Sequence, residues 1–144
     1  MGKQITVAAA QTGPVLSEDM RSAADAACAM IEEAAAKGVE IICFPEVFLT
    51  PFFPAQLRPD YAQFFMELPS SLTDPFLDLA REKGIAVIFG YGERAGSYFY
   101  NSSAIFDRDG RHLGTYRKTH LPAVLPSNRA GGTGSYEKMY FSPG

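Results

Sequence analysis

The amino-acid sequence predicts an α/β protein, and two observations support this. Apolar runs typical of strands in a parallel sheet begin at Gln4, Val39 and Ile85. The segments between these runs carry apolar residues at helical spacing and end at a glycine, Gly38 or Gly84. A strand-helix-strand order with crossovers of this length favours parallel pairing of the strands.

The first strand is predicted over Gln4 to Gln11, because Thr12-Gly13-Pro14 ends the apolar run. A helix is expected to begin near Ser17, whose side chain can accept a hydrogen bond from a helix N–H group. It should end at Gly38, and a second buried strand should follow over Val39 to Phe44. The apolar positions of this helix recur at helical spacing: Ala23, Ala27, Met30, Ile31 and Ala34.

The segment from Pro45 to Pro59 contains four prolines and several phenylalanines. It is too rich in proline for regular structure and too apolar for a solvated linker, so we expect it to line a pocket. A second helix is predicted over Leu72 to Lys83, with Gly84 as its cap. The next buried strand should cover Ile85 to Tyr91, which repeats the strand-helix-strand unit.

Two antiparallel strands are expected to end the regular part of the chain. Tyr98 to Phe106 and His112 to Tyr116 flank Asp107-Arg108-Asp109-Gly110, and its Asp-Gly step suits a tight hairpin. The segment from Ala123 to Ser135 is rich in proline, glycine, serine and asparagine, so it predicts a long surface loop.

Composition excludes several classes of protein. The 144 residues are 47% hydrophobic and 20% charged, which is typical of one globular domain over residues 1–144. The net charge is -3 without a basic block, so no nucleic-acid partner is expected. No apolar run is long enough to span a membrane. Cys28 and Cys43 lie in apolar stretches, which favours buried free thiols and a cytoplasmic location.

Glu46 is the first candidate for chemistry. It comes just after the second predicted strand, at the carboxyl end where open α/β sheets place their ligand sites. We expect four neighbouring rings to shield this carboxylate from water, so that it could act as a general base near neutral pH. From its position alone, a solvated loop glutamate is an equally good interpretation. The four rings belong to Phe44, Phe48, Phe52 and Phe53.

Lys118 lies in the motif Tyr116 to Pro122, at the end of a predicted strand, where an ammonium group could stabilise an oxyanion. A basic pair at a strand end is more often a solvated edge.

His120 is more often a structural residue than a base, and Glu137 alone would be interpreted as an exposed loop carboxylate. Neither cysteine has the setting of a nucleophile. No metal-ligand cluster or phosphate-binding turn occurs, so no cofactor is expected.

Three segments together resemble the nitrilase superfamily of carbon-nitrogen hydrolases. They are Phe44-Pro45-Glu46, Tyr116 to Pro122, and Glu137 with the following Tyr140 to Gly144, and they occur in the family's order. The first strand, the end of the first helix and Tyr100-Asn101-Ser102-Ser103 also look like family positions. Within the family the chain is most similar to N-carbamoyl-D-amino-acid amidohydrolases, with N-carbamoylputrescine amidases close behind.

The resemblance implies the amino-terminal portion of a nitrilase-type αββα sandwich and a Glu-Lys-Cys triad. It assigns Glu46 as the general base and Lys118 as the cation that faces the tetrahedral intermediate. Glu137 matches a second glutamate that positions Lys118 and the substrate. The family's nucleophilic cysteine lies downstream of Gly144, so the chain by itself is expected to be inactive. The expected small-molecule partner is a carbamoyl or amide substrate. The chain is also expected to form a homo-oligomer.

Two other functions remain open from the sequence. A catalytically inactive half-domain could associate with a partner chain through an unfinished sheet, because unpaired edges and exposed apolar faces recruit other chains. A Rossmann-like ligand-binding domain would also fit the strand-helix-strand opening, although the sequence lacks the glycine fingerprint of that fold.

Overall fold

The protein is described by a computed structural model that covers Gly2, residues 4–124 and residues 134–144. Two short 3₁₀ turns, Phe53–Ala55 and Tyr61–Phe64, precede the third strand. The helices and strands are β1 (Val7–Ala9), α1 (Met20–Ala36), β2 (Ile41–Cys43), β3 (Phe65–Met66), α2 (Asp74–Lys83), β4 (Ala86–Ala95), β5 (Tyr98–Phe106), β6 (His112–Arg117) and α3 (Glu137–Tyr140).

One mixed sheet of six strands forms the centre of the described structure. Its main order is β1-β2-β4-β5-β6, and β3 pairs with β4. The strands β1, β2 and β4 are parallel, whereas β4, β5 and β6 are antiparallel neighbours. This arrangement confirms the α/β class, the parallel opening and the terminal hairpin. The two-residue strand β3 and the four-residue helix α3 are too short to leave a periodic pattern, and the sequence did not predict them.

Both long helices end at the glycines that the sequence indicated. Gly38 and Gly84 have φ angles of +70° and +69°, the left-handed conformation that a glycine adopts without steric cost. The start of α1 lies slightly beyond the prediction. Asp19 is the N-cap residue and accepts a hydrogen bond from the Arg21 N–H at 3.0 Å, while Ser17 accepts one from the Asp19 N–H at 3.0 Å.

The helices cover one face of the sheet. On that face Phe76 of α2 packs edge-on against Phe89 of β4, with 5.3 Å between the ring centroids. Ile31 of α1 and Val87 of β4 belong to the same core and are fully buried. The burial of this apolar surface supplies the main driving force for docking the helices. The described part is therefore one layer of helices on one layer of sheet.

The opposite face of the sheet is open, which corrects two predictions. The first strand was expected to be buried over Gln4 to Gln11, but β1 has three residues at the sheet edge, and Val7 is 66% exposed. Cys43 was expected to be buried and is exposed. The strand register places Val7 and Cys43 on the face without helices, which explains both exposures.

A second, smaller cluster of aromatic residues connects the chain after β2 with the chain after β6. Phe53 packs edge-on against Tyr140 of α3 and stacks on Phe64, with centroid distances of 5.4 Å and 4.9 Å. These contacts fix α3 against the proline-rich segment. The segment from Ala123 to Ser135, predicted as a loop, lies mostly outside the described residues, but Val124 and Ser135 form an antiparallel bridge.

The hairpin between β5 and β6 has the turn that the Asp-Gly step predicted. Asp107 Oδ1 accepts hydrogen bonds from the N–H groups of Asp109 and Arg111 at 3.0 Å and 2.8 Å, and Gly110 has a φ angle of +79°. No helix within the described ranges is long and apolar enough to span a lipid bilayer.

Candidate functional site

Glu46 lies in a tight turn directly after β2. The carbonyl oxygen of Pro45 accepts a hydrogen bond from the Gly90 N–H at 3.3 Å, so the turn rests on strand β4. A Cβ atom at Gly90 would lie 2.6 Å from the Cα atom of Glu46, and only glycine permits this approach. Val47 has a φ angle of +41°, which is unusual for a β-branched residue. The strained turn holds Glu46 close to the centre of the sheet.

Lys118 follows β6 and extends its pairing with β5, because the Lys118 N–H donates to the Asn101 carbonyl oxygen at 2.8 Å. Its Nζ atom donates to Glu46 Oε1 at 2.8 Å and to Glu137 Oε2 at 2.8 Å. The fold therefore brings together three residues that are far apart in the sequence. They are the same three that the sequence motifs indicated.

Glu137 is the first residue of α3, and its side chain is only 5% exposed. Its second oxygen, Oε1, accepts a hydrogen bond from Ser135 Oγ at 3.2 Å. Tyr140 anchors the helix: its hydroxyl group donates to the Gln56 carbonyl oxygen at 2.5 Å and accepts from the Arg58 N–H at 2.8 Å. Glu137 is therefore not an exposed loop carboxylate, which is the interpretation that its position alone favoured.

The charge of Lys118 is determined by its two carboxylate partners. Burial acts against the charged form, but the hydrogen bonds to Glu137 and Glu46 outweigh it, so the pKa of Lys118 lies above its usual value. The side chain is therefore an ammonium group at neutral pH. It can stabilise negative charge, and it cannot serve as a base.

The site opens into a small pocket of about 210 Å³ on the face of the sheet without helices. The expected shielding of Glu46 by four rings is wrong, because the Glu46 side chain is 50% exposed. Phe48 and Phe53 point into the two cores, and Phe52 is largely exposed. The pocket is lined by Phe44, Glu46, Gly90, Asn101, Ser102, Ser103, Tyr116 and Lys118.

Asn101 and Ser135 contact the site, although the sequence did not single them out as site residues. The Asn101 side-chain amide donates to Glu46 Oε1, and Ser135 donates to Glu137. Asn101 belongs to the segment Tyr100 to Ser103 that resembles the family, and this was the available signal. Its role depends on a contact between residues 55 positions apart, which no local pattern reveals.

The remaining candidates lie elsewhere. Cys28 is on α1, where burial and then the negative charges of Asp25 and Glu32 raise its thiol pKa and so disfavour the nucleophilic thiolate. Cys43 is on β2, and its thiol lies 3.7 Å from the Phe44 carbonyl oxygen. Over the described residues, no three His, Cys, Asp or Glu side chains are grouped so that they could hold a metal ion.

Comparison with known proteins places this geometry in context. The sequence profile described as carbon-nitrogen hydrolase matches residues 6–144. An N-carbamoylputrescine amidase of Arabidopsis thaliana is 36% identical over 132 residues, which cover 89% of this chain and 40% of that protein. An aliphatic nitrilase of Rhodococcus rhodochrous is 32% identical over 149 residues, covering 95% of this chain and 40% of that protein.

Solved structures show the same fold. A carbon-nitrogen hydrolase from Helicobacter pylori G27 superposes with a TM-score of 0.75 at 24% identity, covering 97% of this chain and 44% of that one. An amidase from Nesterenkonia sp. gives a TM-score of 0.74 at 21% identity, covering 100% and 49%. The chain thus spans less than half the length of these relatives, and the one helical layer and one sheet described above match that part of their α/β architecture.

Proposed function

Because the chain belongs to the carbon-nitrogen hydrolase family, we propose that it carries the charged half of the active site of an enzyme that hydrolyses a non-peptide carbon-nitrogen bond. The observation that carries the proposal is the position of Lys118, whose ammonium group lies 2.8 Å from both Glu46 and Glu137 beside an open pocket. An ammonium group fixed in advance at such a place can stabilise an oxyanion without reorganisation.

Each of the three residues receives one role. Glu46 is the general base, because its carboxylate is half exposed at the pocket and can exchange a proton there. Lys118 faces the oxygen that becomes negative in the tetrahedral intermediate. Glu137 is nearly buried and accepts a hydrogen bond from Lys118 at 2.8 Å, so we assign it as a positioning residue.

The nucleophile of the proposed reaction is a cysteine thiol. Neither Cys28 on α1 nor Cys43 on β2 has a hydrogen bond to Glu46 or Lys118 among the contacts of the described residues. We therefore place the thiol in sequence outside residues 1–144. This assignment makes the chain inactive by itself and completes a Glu-Lys-Cys triad when the two parts are joined.

The reaction proceeds in two stages. Glu46 takes the thiol proton, and the thiolate forms a bond to the carbonyl carbon of a carbamoyl or amide substrate while Lys118 stabilises the oxyanion. The carbon-nitrogen bond breaks, and the leaving nitrogen takes the proton from Glu46, which releases ammonia. Water then loses a proton to Glu46 and adds to the carbon of the thioester-type intermediate, the carbon-sulfur bond breaks, and the cysteine sulfur takes the proton back from Glu46. From an N-carbamoyl substrate the product is an unstable carbamic acid, which decomposes to carbon dioxide and an amine.

An N-carbamoyl amine or N-carbamoyl amino acid is the proposed substrate. The support is that relatives named N-carbamoylputrescine amidase match 89–99% of this chain at 33–36% identity. Relatives named omega-amidase and aliphatic nitrilase also match, so amides and nitriles belong in any assay. The proposed chemistry uses no metal or cofactor. We also propose a cytoplasmic location, for which the two free cysteines are the support.

Ammonia release tests the proposal. The protein is produced with the coding sequence that follows residue 144 and is offered N-carbamoylputrescine, N-carbamoyl-D-amino acids, simple amides and nitriles. We expect turnover of a carbamoyl substrate and a loss of about 10²–10⁴-fold in the Glu46→Gln variant, the range for removal of a general base. Glu82→Gln is the matched control, because Glu82 forms a surface ion pair with Lys83 on α2. Turnover by Glu46→Gln at the control rate would contradict the proposal.

A second candidate function is an inactive half-domain that associates with another chain, including a second copy. The open sheet face favours it, because Tyr116 is 62% exposed and Val7 and Ile105 on the same face are also exposed. Sedimentation of residues 1–144 alone, together with the ammonia assay on the longer protein, separates the two candidates. Self-association without turnover of any substrate by the longer protein would favour the half-domain.

A further inference from the structure

We infer that Asn101 is a positioning residue that occupies one oxygen of Glu46 and leaves the other oxygen to receive the proton. The inference deepens the proposed function, because it assumes that Glu46 is the base. It identifies Glu46 Oε2 as the atom that takes the thiol proton.

The first observation concerns the two oxygens of Glu46. The Asn101 amide donates to Oε1, and Lys118 Nζ donates to the same atom at 2.8 Å. Across residues 4–124 and 134–144, no donor is bonded to Oε2. An oxygen that already accepts two hydrogen bonds has its lone-pair directions occupied, whereas its neighbour keeps its full capacity to accept. The two oxygens are therefore not equivalent.

The second observation concerns Asn101 itself. Its side chain belongs to β5, and the residue is 5% exposed, so its position is fixed by the sheet. The main-chain carbonyl oxygen of Asn101 accepts a hydrogen bond from the Lys118 N–H at 2.8 Å, while its side-chain amide donates to Glu46. A single buried residue therefore fixes both the main chain of the proposed cation and the carboxylate of the proposed base.

The chemistry of the contact determines which way the amide points. An ionised carboxylate only accepts hydrogen bonds, so the Asn101 atom that meets it must be the nitrogen. This donor is neutral, so it holds Oε1 without adding a second positive charge beside Lys118. Because Glu46 is half exposed, its side chain would otherwise sample other rotamers.

The contact has a consequence for the rate of the reaction. Without the Asn101 donor, the half-exposed Glu46 side chain is no longer held in the orientation that presents Oε2. We expect Asn101→Leu to lower kcat for ammonia release by about tenfold with little change in KM. We expect a larger loss of kcat in Asn101→Asp, which has nearly the same shape but offers no donor and introduces a like charge beside Glu46.

The experiment measures kcat and KM for ammonia release by the protein that includes the sequence after residue 144. Its variants are Asn101→Leu, Asn101→Asp and the structural control Thr73→Val. Thr73 lies at the start of α2, outside the pocket lining, and its buried hydroxyl donates to the Ser70 carbonyl oxygen at 3.1 Å. The control should lower the unfolding temperature without changing kcat. Unchanged kcat in both Asn101 variants would overturn the inference, and so would losses of kcat that only match a loss of folded protein in thermal unfolding.

Glu46→Gln in the same experiment separates this inference from the proposed function. If Glu46→Gln is inactive and kcat falls in both Asn101 variants, both ideas hold. If Glu46→Gln is inactive and kcat of the Asn101 variants is unchanged, the role of Asn101 fails while the proposed function survives. If Glu46→Gln is active, Glu46 is not the base and both ideas fall.

Discussion

Arg117 and Lys118 are neighbours at the end of β6, yet they bind glutamates on opposite faces of the sheet. Arg117 forms a forked pair with Glu93, at 2.6 Å and 2.9 Å, and its guanidinium group lies 4.0 Å from the Tyr100 ring centroid. Lys118 places one ammonium group between Glu46 and Glu137 beside the pocket. Two basic residues in one motif therefore make different contacts according to the face that each side chain occupies, and under the proposed function only Lys118 takes part in the reaction.

The arginine pair has the features of a structural contact. Glu93 is 13% exposed and also accepts a hydrogen bond from Ser102 at 2.6 Å, so both of its oxygens are bonded. The hydrogen bonds from Arg117 hold the pKa of Glu93 below its usual value. The planar guanidinium group fits such a carboxylate with two parallel bonds. The lysine group, in contrast, leaves Glu46 Oε2 without a bonded donor in the described chain.

The largest effect is expected when the charge of Lys118 is removed. Lys118→Met should lower kcat for ammonia release by about 10²–10³-fold, the range for loss of one oxyanion donor. The methionine is one atom shorter than the lysine and leaves Glu137 buried without its cation. Steady-state kinetics and a thermal unfolding curve measure both effects. Equal kcat values for this variant and a Lys83→Met surface control would contradict the claim that the charge of Lys118, on the pocket face, takes part in the reaction.

A smaller effect, on stability, is expected on the face covered by helices. Arg117→Met removes the fork and leaves Glu93 with only the hydroxyl of Ser102, which should cost about 1–3 kcal/mol of unfolding free energy. Because Arg117 does not contact the pocket carboxylates, kcat should change much less than in Lys118→Met. Urea unfolding with a parallel kinetic assay checks this prediction. A kcat loss as large as that of Lys118→Met, with unchanged stability, would contradict it.

The smallest effect concerns stability in acid. Glu93 has a lowered pKa in the folded protein, so its contribution is present above the unfolded value near 4.5 and is lost as the pH falls through the folded value. Glu93→Gln should therefore weaken the acid dependence of unfolding below about pH 4.5, by at most about 1.4 kcal/mol per pH unit, the value for one proton. Urea unfolding at several pH values measures it, with Glu82→Gln as the exposed control. Parallel acid profiles for Glu93→Gln and the unsubstituted protein would show that the pair adds nothing in acid.

Local signals in the sequence predicted most of the fold. The glycine caps at Gly38 and Gly84 and the turn at Gly110 depend on the conformation of a few consecutive residues, and all three are present. The exposure of Val7 and Cys43 could not be predicted, because it depends on which face of the sheet the helices cover. An apolar strand has the same sequence pattern whether one or both of its faces are covered.

In the candidate site too, local motifs were predictable and contacts between distant residues were not. Glu46, Lys118 and Glu137 were indicated by motifs, and the structure brings them within hydrogen-bond distance. Asn101 was not singled out as a site residue, because its contact with Glu46 depends on how the turn after β2 rests on β4 and β5. The shielding of Glu46 by phenylalanines was wrong for a related reason, since Phe48 and Phe53 pack into cores formed by residues distant in sequence.

The most direct test of the account is a pair of reciprocal substitutions, Lys118→Arg and Arg117→Lys, measured by ammonia release and thermal unfolding of the longer protein. Both substitutions keep the charge, but a guanidinium fork and an ammonium point charge differ in geometry. The account predicts that Lys118→Arg loses most of its kcat while remaining folded. It predicts that Arg117→Lys unfolds at a lower temperature while keeping most of its kcat. The reverse pattern, with activity lost only in Arg117→Lys, would contradict the assignment of Lys118 as the cation of the reaction.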